Sequence, residues 1–158
     1  MRRLLVYQAL WGMENLPGVD MDADLDGVLS QIFAAGFDGV GVSLMRADRA
    51  EAVARGVRDR GGSFEAIGFV FTRGDLARWI DRAQALGAHH LNIQIMTRPD
   101  RVSDAVALLI EFEAEAARAS IPVNYETHRG RLTNDALFTC RILDQMPGLR
   151  PTWRGCRR

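Results

Sequence analysis

The sequence predicts an α/β fold built from parallel strand–helix units, and three observations carry that prediction. Short apolar runs begin near residues 4, 37, 63, 90 and 121, so strands recur at a spacing of roughly 26 to 34 residues. Between them apolar side chains return every three or four positions, as on one face of a helix. The joints also repeat: Ala34-Ala35-Gly36-Phe37-Asp38-Gly39-Val40 and Gln84-Ala85-Leu86-Gly87-Ala88-His89-His90-Leu91 both run from a helix end through Gly into a strand. Neighbouring parallel strands need a long crossover, which is almost always helical and right-handed. The chain therefore holds five βα units and the start of a sixth.

Each element has its own signals. The apolar run from Leu4 to about Trp11 is a first strand, broken by Gly12, Pro17 and Gly18, with Asp22 or Asp24 available to cap a helix. Leu25, Val28, Leu29, Ile32 and Phe33 stripe that helix, and Gly36 ends it. Phe37–Leu44 is the second strand; Ala50, Val53, Ala54 and Val57 mark the second helix, closed by Gly61-Gly62. Ser63–Phe71 is the third strand, followed by a helix with Leu76, Trp79, Ile80 and Ala83 inward and Gly87 at its end. Leu91–Met96 is the fourth, and Val102, Val106, Leu109 and Ile110 begin a long helix after Pro99. Ile121–Thr127 is the fifth, with Thr133 as a cap for a fifth helix reaching Met146.

Composition narrows the chemistry. The 158 residues suit one domain, 47% are hydrophobic, and 20 basic residues balance 20 acidic ones. Every cation is Arg, because the sequence contains no Lys. That excludes a G-x-x-x-x-G-K phosphate loop, a lysine general base and a Schiff base formed by this chain. Zero net charge without a basic stripe argues against nucleic acid as partner, and against the DNA-repair endonuclease reading of such a chain. No apolar run reaches the roughly 18 residues of a membrane helix, and no secretory signal opens the sequence, so the expected address is the cytoplasm. Cys140 and Cys156 form no C-x-x-C pair, and Cys140 falls in register with Ala136 and Leu143 as a small buried hydrophobe.

The chemistry-bearing residues sit at strand ends. Side chains alternate along a strand, so Asn124, Glu126 and His128 share one face of the fifth strand while Val123 and Tyr125 take the other. In the fourth, Asn92 and Gln94 alternate with Leu91, Ile93 and Ile95 and point the same way as Glu126. In parallel α/β proteins the C-terminal ends of strands hold the ligand. Gln8, Trp11 and Ser43 could add a polar contact and an aromatic wall, with core packing the competing role for Trp11. His89 and His90 start a strand at the opposite end, which makes them structural or solvent-facing. Arg129 and Arg131 offer planar forks to a phosphate, or form a solvated turn. Two architectures accommodate these units: a complete flavodoxin-like open sheet, favoured by length, and the first part of an eight-unit TIM barrel, favoured by the strand tips.

The joint Gly36-Phe37-Asp38-Gly39-Val40, the strand Leu91-Asn92-Ile93-Gln94-Ile95 and the segment Val123-Asn124-Tyr125-Glu126-Thr127-His128-Arg129-Gly130 resemble the sugar phosphate isomerase/epimerase family of xylose isomerase-like TIM barrels. The resemblance covers residues 1–149 and implies about five and a half of eight (β/α) units. It implies a metal-dependent isomerase or epimerase that takes a small-molecule sugar or sugar phosphate and uses Mn²⁺, Mg²⁺, Co²⁺ or Zn²⁺. Glu126 is then metal ligand and proton-moving carboxylate. His128 joins it in the catalytic pair, and Asn92, Gln94 and Asn124 contact substrate. The family's other metal ligands come from strands six to eight. Residues 150–158, with four Arg and a Pro, depart from its pattern as a divergent tail, the expected mark of a truncated or frameshifted member with doubtful catalysis. Exposed sheet edges in such a part-barrel would favour a homo-oligomer. The flavodoxin-like alternative implies a self-contained binding or regulatory domain without catalysis.

Overall fold

The computed structural model describes residues 4–149 and 151–152. Six strands, β1 (Tyr7–Ala9), β2 (Gly39–Ser43), β3 (Ser63–Val70), β4 (His90–Ile95), β5 (Val123–Glu126) and β6 (Pro151–Thr152), alternate with five helices. The helices are α1 (Leu25–Ala34), α2 (Ala47–Asp59), α3 (Arg73–Leu86), α4 (Val102–Ala116) and α5 (Ala136–Gln145). All adjacent strands pair in parallel, and their spatial order equals their chain order.

That order decides between the two architectures. A flavodoxin-like sheet reverses direction beside its first strand and carries helices on both faces. Here every crossover steps the same way, and each helix packs against the next, α1 on α2 through α4 on α5. Right-handed crossovers stepping in one direction lay all helices on one face. The flavodoxin-like alternative is thereby overturned, and the sheet is an arc of barrel units.

Helix ends follow local chemistry. Asp24 caps α1 by accepting from the Gly27 amide at 2.9 Å, which settles the choice between Asp22 and Asp24. Thr72 and Asp75 form a reciprocal capping box on α3, and Gly87 ends that helix in the left-handed region at φ 76°. At α5 the cap is Asp135, not Thr133, its carboxylate accepting from the Phe138 amide at 2.6 Å. Thr133 instead ties the preceding turn: its Oγ1 donates to the Glu126 carbonyl and accepts from the His128 amide.

Strand register defines two faces. Val40, Val42, Phe64, Ala66, Val70, Leu91, Ile93, Ile95, Val123 and Tyr125 point to the helices and are buried. Gly68 belongs to the same face, where an added Cβ would meet the Trp79 ring of α3 at 3.0 Å, and the Trp79 indole N–H donates to the Phe69 carbonyl at 2.8 Å. Tyr125 crosses this layer and donates its hydroxyl to Glu113 of α4 at 2.5 Å. The core-packing role left open for Trp11 is not the one it takes, and the expected burial of Cys140 fails. Trp11 is 57% exposed because it stands in the short helical turn Leu10–Gly12, where Leu10 alone is buried. Cys140 is exposed because α5 turns its neighbours Thr139 and Ile142 inward.

Of the expected divergent tail, Pro151 and Thr152 extend the sheet as β6, pairing with Tyr125 and Glu126. Proline is tolerated there because it opens an edge strand. Residues 150 and 153–158 lie outside the described residues, and a boundary at 149 stays a proposal.

Two predictions follow from these contacts. A Cβ on Gly39 would stand 1.7 Å from the Ser63 carbonyl oxygen, whereas one on Gly41 meets nothing nearer than 3.5 Å. Gly39→Ala should therefore cost at least about 3 kcal/mol by urea denaturation, or prevent folding, while Gly41→Ala stays within about 1 kcal/mol. Burial first, and then the bond to Glu113, pushes the Tyr125 phenol well above the usual value of 10.0. The unfolded chain then ionises this phenol first, so stability is intact below pH 10 and falls as pH rises beyond it, by at most about 1.4 kcal/mol per unit for this one group. No Lys titrates in that range, and the Tyr7 phenol, also raised mainly by burial, contributes a decline of the same sign, so Tyr125→Phe should lessen the slope without removing it; an unchanged slope would disprove the assignment.

Candidate functional site

The opposite face of the sheet, turned away from the helices, carries Glu65, Ile67, His90, Asn92, Gln94, Asn124, Glu126 and Thr152 in lateral register. Its C-terminal half is polar yet buried, with Glu126 at 1%, Asn92 at 3% and Gln94 at 6% exposure. A carboxylate withdrawn this far from water needs hydrogen-bond donors. Glu126 Oε2 accepts from Gln94 Nε2 at 3.1 Å and from Asn92 Nδ2 at 3.3 Å. Both amides are anchored in turn: Thr152 Oγ1 donates to Asn92 Oδ1 at 2.9 Å, and Arg131 Nε donates to Gln94 Oε1 at 3.0 Å.

The network extends toward the N-terminal ends of the strands. Asn92 Nδ2 also lies 3.5 Å from Glu65 Oε1, and Glu65 Oε2 is 3.0 Å from His90 Nε2. His90 Nδ1 is 3.0 Å from His89 Nδ1, and Tyr7 packs its ring near both imidazoles while bonding Ser63. His90 is thus structural, as expected, and it holds a carboxylate that the sequence reading missed. The signal for Glu65 was present as a lone charge in the otherwise apolar third strand, two residues from Ser63 and from Ile67 on the same face.

The sequence-predicted residues are only partly assembled. Asn92, Gln94 and Glu126 form one cluster. Asn124 lies beside Asn92 in register but makes no hydrogen bond to the cluster among the described residues. His128 belongs to the turn after β5, with Nδ1 2.6 Å from the Arg129 carbonyl. A carbonyl only accepts, so Nδ1 carries the proton of this contact and Nε2 is left to other partners. Gln8 bonds the Ala9 carbonyl and Ser43 accepts from the Met45 amide, so both serve local turns rather than the cluster.

The described residues do not build the divalent metal site that the resemblance implied. Among them no three His, Cys, Asp or Glu gather at metal-binding distances. Glu126 Oε2 faces amide N–H groups, which present positive ends where a cation would sit. An oxygen-loving divalent ion wants about six ligands, and the cluster offers amides engaged with a carboxylate instead.

Asn92→Asp tests how closely the carboxylates depend on their amide bridge. It would set a third carboxylate between Glu65 and Glu126, and like charges raise folded-state carboxylate pKa values. A raised folded-state pKa leaves the variant's stability intact while the carboxylates are protonated and lowers it as pH rises and they ionise. The variant should therefore melt higher at pH 5 than at pH 7.5, with Asn92→Ala lacking that dependence; parallel pH profiles would show that the carboxylates do not share Asn92.

No protein-family model matches the sequence, and comparison with the curated proteins finds no match. Solved structures do match in fold. The 4-hydroxy-tetrahydrodipicolinate synthase of Methylacidiphilum fumariolicum SolV superposes with a TM-score of 0.62 at 13% identity, over 98% of this chain and 53% of that one. A type I 3-dehydroquinate dehydratase from Clostridium difficile gives 0.54 at 20% identity, over 68% of this chain and 44% of that one. A prophage protein of the dihydrodipicolinic acid synthase family from E. coli K12, in complex with pyruvate, gives 0.56 at 17% identity, over 78% and 45%. The chain spans about half the length of these structures. Together with the strand order, they show that its fold is a partial TIM barrel of six parallel strands.

Proposed function

We propose that this chain is part of a barrel enzyme that moves a proton on a polyhydroxylated carbonyl substrate, in the manner of the sugar isomerases and epimerases its strand tips resemble. The observation that carries this reading is Glu126, a buried carboxylate held by two amides at the C-terminal end of β5. Side chains such as Asn92, Gln94 and Asn124 suit the hydroxyls of a sugar, since an amide both donates and accepts.

In this reading Glu126 takes the proton from a carbon beside the substrate carbonyl. The C–H electron pair becomes the C=C bond of an enediolate while the carbonyl π pair moves onto its oxygen. The proton held on Glu126 exchanges with solvent, and Glu126 returns a proton to the neighbouring carbon on the same face while the hydroxyl proton of that neighbour passes to the former carbonyl oxygen. His128, with Nε2 open, contacts a substrate hydroxyl. No imine step is available to these residues, because the chain has no lysine. A divalent ion would need ligands besides the described residues, and no step is drawn through it.

The test is solvent exchange. Aldoses, ketoses and their phosphates are incubated with the 158-residue chain in D₂O, with and without Mn²⁺, and followed by proton NMR. Deuterium should enter beside the carbonyl, and Glu126→Gln should slow it at least about 100-fold. Equal rates in the two proteins, or exchange no faster than buffer, would remove the proposal. A Mn²⁺-dependent rate lost in Glu126→Gln would assign an ion to that carboxylate.

A further inference from the structure

Two of the open clefts at the C-terminal end of the sheet, among the described residues, differ in charge balance. Beside β1 and β2, Glu14, Asp20, Asp22, Arg46 and Arg49 line a depression where the cations are already taken. Arg46 pairs with Asp22 at 2.9 Å and with Asp48 at 3.0 Å, while Arg49 reaches Asp22 and, at 3.4 Å, Glu14. The bond from Arg49, and then that from Arg46, holds Asp22 below the usual carboxylate range.

The second cleft, of about 370 Å³, opens between the β4–α4 loop and the β5–α5 loop, with Arg98, Arg131 and Arg141 among its lining residues. Among the described residues Arg98 and Arg141 have no carboxylate partner. The cleft contains two acids, Asp100 and Asp135, and Asp135 is occupied as the cap of α5. The floor is fixed: Leu132 is buried, and its amide donates to the Ile95 carbonyl at the end of β4 at 3.1 Å. Arg131 is shared between the cleft and the buried cluster. Its Nε holds Gln94, which holds Glu126, and the residue also lines the cleft.

We infer that this cleft binds the phosphate group of a phosphorylated small-molecule substrate, with Arg98 and Arg141 as its charge partners and Arg131 connecting it to Glu126. Three guanidinium forks suit a tetrahedral dianion, and charge-assisted bonds of this type are the strong ones. Arg131 also donates from Nη1 to the Gly130 carbonyl at 3.4 Å, and a phosphate drawing on its remaining N–H groups would fix the orientation of that side chain, and through Gln94 the position of the carboxylate. The inference rests on the proposed function for the identity of the substrate, whereas phosphate binding stands without it.

The experiment is calorimetric titration of the 158-residue chain with inorganic phosphate and with glycerol 3-phosphate, at constant ionic strength, using acetate as a monovalent control. Both phosphates should saturate in the millimolar range or tighter, and acetate should not. Combined Arg98→Gln and Arg141→Gln should weaken both by at least about tenfold, while Arg55→Gln on α2 leaves them unchanged. Glu126→Gln should retain phosphate binding, which separates this inference from the proton-transfer reading. Undiminished binding in the double variant, equal weakening by Arg55→Gln, or no saturation by wild type would overturn it. Binding of inorganic phosphate with exclusion of the ester would overturn the assignment to a substrate.

Discussion

A carboxylate at 1% exposure cannot be left to a general polar environment, and the inner side of β3 to β6 is arranged around Glu126. Its Oε2 draws two amide donors from one neighbouring strand, Asn92 and Gln94, because parallel register sets residues two apart on β4 alongside those two apart on β5. Each amide spends its NH₂ on the carboxylate and therefore needs a donor for its own oxygen. Thr152 on β6 meets one and Arg131 from the β5–α5 turn meets the other. Removing any one member leaves a buried polar atom unsatisfied, which generally costs more than the bond itself contributed.

The sheet can carry this polar face only because the other face is covered. Sequential strand order puts the helices in a single layer, so the apolar set of each strand packs there and the alternate set is released for function. The helix side has hydrogen-bonded groups of its own, the Trp79 indole and the Tyr125 phenol among them. Tyr125 fills the space between β5 and α4 with its ring and ends on Glu113, so its hydroxyl is buried with an acceptor. In the short segment Tyr125-Glu126, adjacent residues thus serve opposite layers, and a one-residue register slip would place the carboxylate among the helices and the phenol among the amides.

Much of this arrangement was legible in the sequence, for physical reasons that also explain what was not. Periodicity and helix-end glycines located the five helices, since apolar spacing and the left-handed residue at Gly87 are local properties. Alternation grouped Asn92, Gln94 and Glu126 on one face for the same reason. Strand order was not local, and flavodoxin-like and barrel sheets share their unit pattern, so only the pairing of β1 with β2 and onward separated them. Thr133 was misread because Ser, Thr and Asp all cap helices, and the turn after β5 gave the cap to Asp135 and the tether to Thr133. Glu65 escaped notice because its strand alternates poorly, with Ile67 on the polar face and Gly68 on the apolar one. Thr152 fell in a segment whose arginines and proline argued against a strand.

The metal that the resemblance implied and the cluster that the structure contains differ in the sign of what surrounds Glu126. A metal ligand needs its lone pairs directed at a cation and its neighbours to be further acceptors. Here Oε2 faces amide N–H groups, and Glu65, the other carboxylate of this face, is turned to His90 and to the same Asn92 amide. Donors around a carboxylate stabilise its charged form, whereas a cluster of carboxylates awaiting a cation would repel itself without one. The geometry is therefore that of a buried carboxylate satisfied by the protein's own amide donors. The same hydrogen-bonded order extends outward: Arg131 donates to Gln94, which donates to Glu126, so one amide separates a guanidinium in the β5–α5 turn from the buried carboxylate.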